Sequence, residues 1–196
     1  MRRALEGGLT VLLFAAASVV GAAPRKKPAV PPDPRFLAIQ NIAVLPIVDA
    51  RAGDKASLNI AKLQTNVVKA LQRKRYPVSA ASTAGDAGQI AVEDLEEAQS
   101  AYVKKLGPAN ERWVMVVLLD DIHSKMTFGS TGNAELEGYL FDKDSGECVW
   151  KGKGVGQAGQ GGLLGMSMKG VMKSEALDAA VMSLLASIPT RPKPGK

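Results

Sequence analysis

Residues 113–119 read WVMVVLL, seven apolar residues in succession with nothing polar among them to mark a wet face. The run is too short to cross a bilayer, and the length and β-branched content suit a strand buried on both sides of its sheet. Such a strand needs elements packed above and below it, and this directs the rest of the chain toward an α/β arrangement.

The flanking pattern supplies those elements. Ile39 to Val48 is a β-rich run in which Pro46 points to an edge position or a strand end. A helix is expected from about Leu58 to Arg75, capped by Ser57, with Ile60, Leu63, Val67 and Leu71 on one face. Tyr76 to Ser79 reads as a short strand. A second helix is expected over 92–106, acidic at its start and stopped by Gly107-Pro108. After the buried run, 133–142 alternates apolar and polar residues, 142–146 (DKDSG) is a turn, and 147–155 returns, predicting a β-hairpin. The glycine-dense stretch that follows is expected to be a connector. Ser174 then caps a last helix, 175–188, whose buried stripe is Leu177, Val181, Leu184, Leu185 and Ile188. The predicted fold is a single α/β domain: a mixed β-sheet packed by about three helices in the order β-α-β-α-β-β-β-α.

Outside this domain, Arg2-Arg3, the apolar run 9–20 and the small residues Gly21-Ala22 have the order of a secretory signal peptide, 1–22, cleaved after Ala22; an uncleaved anchor is the other reading. Residues 23–35 form a Pro-rich basic linker, 36–190 the domain and 191–196 a basic tail. Without Arg2, Arg3 and Glu6 the chain keeps 23 basic and 18 acidic residues, net +5. That balance favours anionic surfaces, but no Lys/Arg cluster is interleaved with stacking aromatics, so nucleic acid is not expected as a partner. Cys148 is the only cysteine, so export takes place without an internal disulfide and the fold rests on its hydrophobic core.

Three features bear on chemistry. Gly154, Gly156 and Gly159 spell a G-x-G-x-x-G, yet the required second strand ending in an acid is missing, because Asp178 at about the right distance falls inside the last helix. Met172 likewise stands where a P-loop ending in Lys173-Ser174 needs glycine. No cofactor follows. Asp120 and Asp121 end the buried strand, a common place for functional carboxylates, and His123, the only histidine, is spaced to share the face of Asp121. Simple alternation places the two aspartates on opposite faces, where they cannot act as a pair, and a lone histidine with no second ligand in view is more often surface or structural than a zinc site. No G-x-S-x-G surrounds any serine, so no catalytic residues are assigned. Leu163, Leu164, Met166, Met168, Val171 and Met172 crowd between glycines; they form either a loop tucked onto the core or an adaptable apolar patch for a partner, a second copy or a membrane surface. Leu164, Met168 and Met172 share a face if that segment is helical.

The segments IAVLPI, YPV, WVMVVLLDD and GYLFDKDSGECVWKGKG, in this order, resemble the superfamily of bacterial envelope proteins that includes the curli-secretion lipoprotein (CsgG-like), the N-terminal domain of TolB and LpoB. Within it the chain is most similar to the small neisserial-type lipoprotein family, where a GLLG segment also precedes the C-terminal helix. The resemblance spans about 39–189 and implies an α/β domain that works by contacts in the periplasm, at the outer membrane or in oligomeric assemblies. The lipobox cysteine of such lipoproteins is missing, and so are the long transmembrane hairpins of the curli pore. The expected protein is therefore exported, periplasmic or outer-membrane associated, and non-enzymatic, an assembly or accessory factor acting on other envelope proteins or on itself. The alternative is a small-molecule or glycan-binding, enzyme-like domain using Asp120, Asp121 and His123.

Overall fold

The computed structural model describes residues 33–51, 58–86, 90, 92–97, 100–127, 129–161 and 169–193. All belong to one compact unit, 32–196. The signal-peptide reading and most of the linker lie outside the described residues.

The chain runs through α1 (Arg35–Ala38), β1 (Ile42–Val44), β2 (Val48–Asp49), α2 (Ile60–Arg73), β3 (Val78–Ala80), α3 (Val92–Glu96), α4 (Ser100–Val103), β4 (Trp113–Thr127), β5 (Gly129–Asp142), β6 (Glu147–Gly161) and α5 (Lys169–Leu184), closing with a 3-10 turn, Leu185–Ser187. The strands form one mixed six-stranded sheet in the order β3-β1-β4-β5-β6, with β2 also paired to β4. β1 lies parallel to both β3 and β4, and β4, β5 and β6 form an antiparallel meander. The expected α/β class with a mixed sheet holds, but the described residues form five helices rather than about three, since a short α1 precedes β1, the opening strand is divided into β1 and β2, and the second expected helix is divided.

WVMVVLL occupies the centre of the sheet, each residue no more than 2 % exposed. Its alternate residues feed two cores. Trp113, Met115, Val117 and Leu119 pack with Leu63, Val67 and Leu71 of α2 and with Leu177, Val181 and Leu184 of α5. Val114, Val116 and Leu118 pack with Tyr139 and Phe141 of β5 and with Leu95, Val103 and Leu106 on the opposite side. The stripes expected on α2 and α5 are thus the surfaces that cover the first face.

Several boundaries differ from expectation for local reasons. The opening strand is interior, and Pro46, which lacks an N–H, marks the break between β1 and β2. Asn59, not Ser57, caps α2, its Oδ1 accepting from the Lys62 N–H at 2.9 Å. Arg75 closes the helix in the left-handed region at φ 68°, with the Tyr76 N–H donating back to the Leu71 carbonyl at 3.3 Å. The helix expected over 92–106 is two short helices, α3 and α4. α5 begins at Lys169, so Ser174 lies inside it and does not cap it. α2 and α5 run parallel, because Lys62 meets Ser174, Asn66 meets Asp178, and Lys74 meets Ala186 in step along both.

The largest difference concerns the glycines. The strand expected to end at Val155 runs on to Gly161 through the stretch expected to be a connector, and Gly154, Gly156 and Gly159 pair with Leu136, Ala134 and Thr131 of β5. Gly154 and Gly156 face α5 so closely that a Cβ on either would overlap that helix's backbone at Ala180 and Ala176. Gly132 of β5 meets the Met172 carbonyl in the same way. The glycines form a flat track on which α5 lies, and space, not an unusual φ, is what they provide.

Candidate functional site

β4 continues past its apolar run as DDIHSKMT, and the pairing shifts there. Leu119 faces Leu136, but Asp121 faces Glu135 and Ile122 faces Ala134, so Asp120 is an extra residue, a β-bulge. Alternation alone sends the two aspartates to opposite faces. The bulge overturns that expectation by setting both opposite Glu135, while Ile122 resumes its place in the helix-covered core.

Asp120 is half-buried, and its Oδ2 is enclosed with no hydrogen-bond partner among the described residues. Burial first, and the nearby Glu137 carboxylate second, push its titration above the usual carboxylate value, with Lys153 opposing. Burial also pushes Glu137 upward. Hydrogen bonds from Lys153 at 3.2 Å and from the Tyr139 hydroxyl at 3.1 Å outweigh it and hold that carboxyl below its usual value. The Lys151 ammonium lies 4.8 Å from the centre of the Tyr139 ring, which completes an alternating ladder across β5 and β6.

His123 lies beyond the bulge, beside Asn133 in the pairing. Its Nδ1 is 2.7 Å from Asp121 Oδ2, and its Nε2 is 3.2 Å from Asn133 Nδ2. The arrangement that satisfies all three groups has Nδ1–H donating to the carboxylate and Nε2 accepting from the amide. Both ring nitrogens are then engaged by neighbours. Imidazole and carboxylate are 45 % and 51 % exposed, on an open hairpin surface and not in a cleft. Among the described residues no group of three or more His, Cys, Asp or Glu is placed to hold a metal ion. Asp121 and His123 are therefore brought together, and Asp120 joins a separate ladder with Glu137 and Lys153.

Of the proposed apolar patch, Leu163, Leu164, Met166 and Met168 lie outside the described residues. Met172 is only 2 % exposed and belongs to the interior, contrary to its place in that patch. Val171 is 44 % exposed. Cys148 is half-buried against the second core, its thiol donating to the Trp150 carbonyl at 3.2 Å, and burial raises its titration; this agrees with a packing role. No helix among the described residues is long and apolar enough to cross a membrane.

One feature that residue patterns did not single out is the outer side of β6. It is the last strand of the sheet, 15 residues long, and pairs along one side with β5 while no described residue pairs with the other. Lys151 and Lys153 guard its first half, but 154–161 (GVGQAGQG) carries neither charge nor proline, and Val155 is 49 % exposed. The signal lay in the sequence as GKGVGQA, small and larger residues in strict alternation, which is a strand's period although glycine's low β-propensity hides it.

No protein-family model matches the chain, and no curated protein matches it. Among solved structures it is similar to the PelC dodecamer from Paraburkholderia phytofirmans, at 13 % identity over 75 % of this chain and 86 % of that one, TM-score 0.45. It is also similar to lipoprotein GNA1162 from Neisseria meningitidis, at 17 % identity over 68 % and 96 %, TM-score 0.45. A third is the LpoB C-terminal domain from Escherichia coli, at 14 % identity over 62 % and 92 %, TM-score 0.38. Likeness at this level carries nothing about what the chain binds.

Proposed function

We propose that this is an exported cell-envelope protein that acts without catalysis, as an assembly or accessory factor, and that it takes an extended segment of a partner, or of a second copy, along the outer edge of β6. The observation that carries the reading is the length of that edge: its backbone N–H and C=O groups have no strand beside them among the described residues, and its second half lacks the charges and prolines that ordinarily block pairing. The N-terminal order of basic, apolar and small residues supports export. His123, engaged on both nitrogens and open to solvent, weighs against the enzyme-like alternative.

The test is photo-crosslinking in intact cells from the exposed position Gln157, with Lys69 on α2 as the control position. Crosslinks are expected from Gln157 and not from Lys69. Val155→Lys places a charge on the exposed half of the edge and is expected to leave the fold intact while abolishing capture. Crosslinking yield unchanged by Val155→Lys would overturn the edge as the contact surface.

A further inference from the structure

Where the first turns of α2 and α5 lie side by side, the two helices part and leave a groove of about 480 Å³. Further along they are joined by polar bonds, Asn66 Nδ2 to Asp178 Oδ1 at 2.6 Å and Lys74 Nζ to the Ile188 carbonyl at 2.6 Å. The volume falls in the range of small-ligand sites. Its floor is apolar, made by Leu58, Leu63 and Leu177, and its rim carries Lys62 and Lys173.

The groove carries two lysines against one carboxylate, that of Asp178. Lys62 makes its polar contact with the Ser174 hydroxyl, at 3.4 Å, and neither lysine has a carboxylate partner among the described residues. Asp178, the acid that lines the groove, is engaged by the Asn66 amide. Because the helices are parallel, both positive helix ends also lie at this mouth.

Gly170 forms part of the wall. Glycine is the least favourable ordinary residue within a helix, and Gly154 and Gly156 of β6 are explained by helix backbone pressed against them. Gly170 has no such reason, since a Cβ there would meet nothing within 4 Å. Its effect is to leave the groove open where any larger side chain would fill it.

We infer that this groove binds a single-chain lipid phosphate, the headgroup held between Lys62 and Lys173 and the chain laid over Leu58, Leu63 and Leu177. A phosphate monoester carries close to two negative charges at neutral pH, matching the two lysines, and Ser174 offers a hydroxyl donor beside them. The inference is independent of the β6 edge, none of whose residues line the groove.

The test is calorimetric titration of the purified full-length chain with dodecyl phosphate below its micelle concentration. Saturable one-to-one binding is expected, with inorganic phosphate, laurate and the neutral detergent dodecyl maltoside each weaker by at least about tenfold. The double variant Lys62→Gln/Lys173→Gln, altered only at the rim, is expected to lose about tenfold or more. Gly170→Leu fills the wall with a better helix former and is expected to abolish binding at an equal or higher melting temperature. Absence of saturable binding would overturn the site. Inorganic phosphate or maltoside binding as tightly as dodecyl phosphate would overturn the pairing of charge with chain, and equal affinity for laurate would overturn the choice of phosphate. Unchanged affinity in the lysine variant, or in folded Gly170→Leu, would remove the groove as the location.

Discussion

Asp120 shows how a single inserted residue changes what its neighbours can do. Without the bulge, Ile122 falls out of phase with the core; with it, Ile122 stays buried, and Asp120 is placed beside Glu137 with one oxygen enclosed and without a hydrogen-bond partner among the described residues. A carboxyl whose titration is raised in the folded state contributes its stability below the unfolded value, and that contribution is lost as pH rises through the folded value. At neutral pH the Asp120 charge is thus a net cost. Asp120→Asn is expected to raise stability slightly at pH 7, because solvent screens the half-exposed carboxyl, and by less near pH 4, measured by urea denaturation at the two pH values. A variant less stable than the parent at pH 7 would show that Lys153 outweighs burial and Glu137.

The packing of α5 on β6 separates the three glycines of the apparent nucleotide motif. Gly154 and Gly156 lie beneath the helix backbone, which cannot move aside as a flexible side chain can. Gly159 meets only the Thr131 methyl at 3.4 Å and the Ser130 carbonyl at 3.7 Å. Gly156→Ala is therefore expected to cost about 1–3 kcal/mol by forcing α5 off the sheet, and Gly159→Ala to stay within about 0.5 kcal/mol of the parent. Thermal denaturation of the two variants distinguishes a helix track from a phosphate loop, in which all three positions would be sensitive to ligand and none to α5. How much of each element was legible varies for related reasons. The stripes of α2 and α5 were plain because leucine and valine recur at helical spacing. The full length of β4, β5 and β6 was not, because 120–132 and 156–161 are largely polar or glycine-rich and derive their strand character from the neighbours they pair with.

Across the whole molecule the two faces of the sheet are unequally covered. α2 and α5, of 14 and 16 residues, cover one, while the short α3 and α4 accompany the other. The far half of the β4-β5-β6 meander consequently presents its charged ladder to solvent. Arg112, just ahead of β4, fastens the opposite end, its Nε and Nη2 donating to Asp142 at 2.8 and 2.7 Å at the turn between β5 and β6. That guanidinium holds the Asp142 carboxyl below its usual range, although burial opposes it. A depressed carboxyl contributes stability above the unfolded value, near 4, and loses it as pH falls through the lower folded value. Arg112→Gln is expected to unfold at a higher pH than the parent in an acid titration followed by circular dichroism, with the stability gap closing at the acid extreme. Coincident acid transitions would show that the pair contributes nothing to global stability.

What the sequence determined by itself was the fold class and the cores. Seven apolar residues in a row demand cover on both faces, and the helical spacing of leucines and valines supplies it for one of them, because hydrophobic periodicity is a local code for which side of an element is buried. What only the tertiary structure decided was the status of residues whose role depends on what comes to lie against them. A β-bulge brings Asp120 and Asp121 to one side of the sheet, a neighbouring asparagine occupies the second nitrogen of His123, and a helix backbone laid on β6 turns a glycine-rich stretch into a strand. Glycine and small polar residues have weak local preferences, so contacts distant in sequence fix their conformation, and the candidate sites of this chain are built largely from such residues.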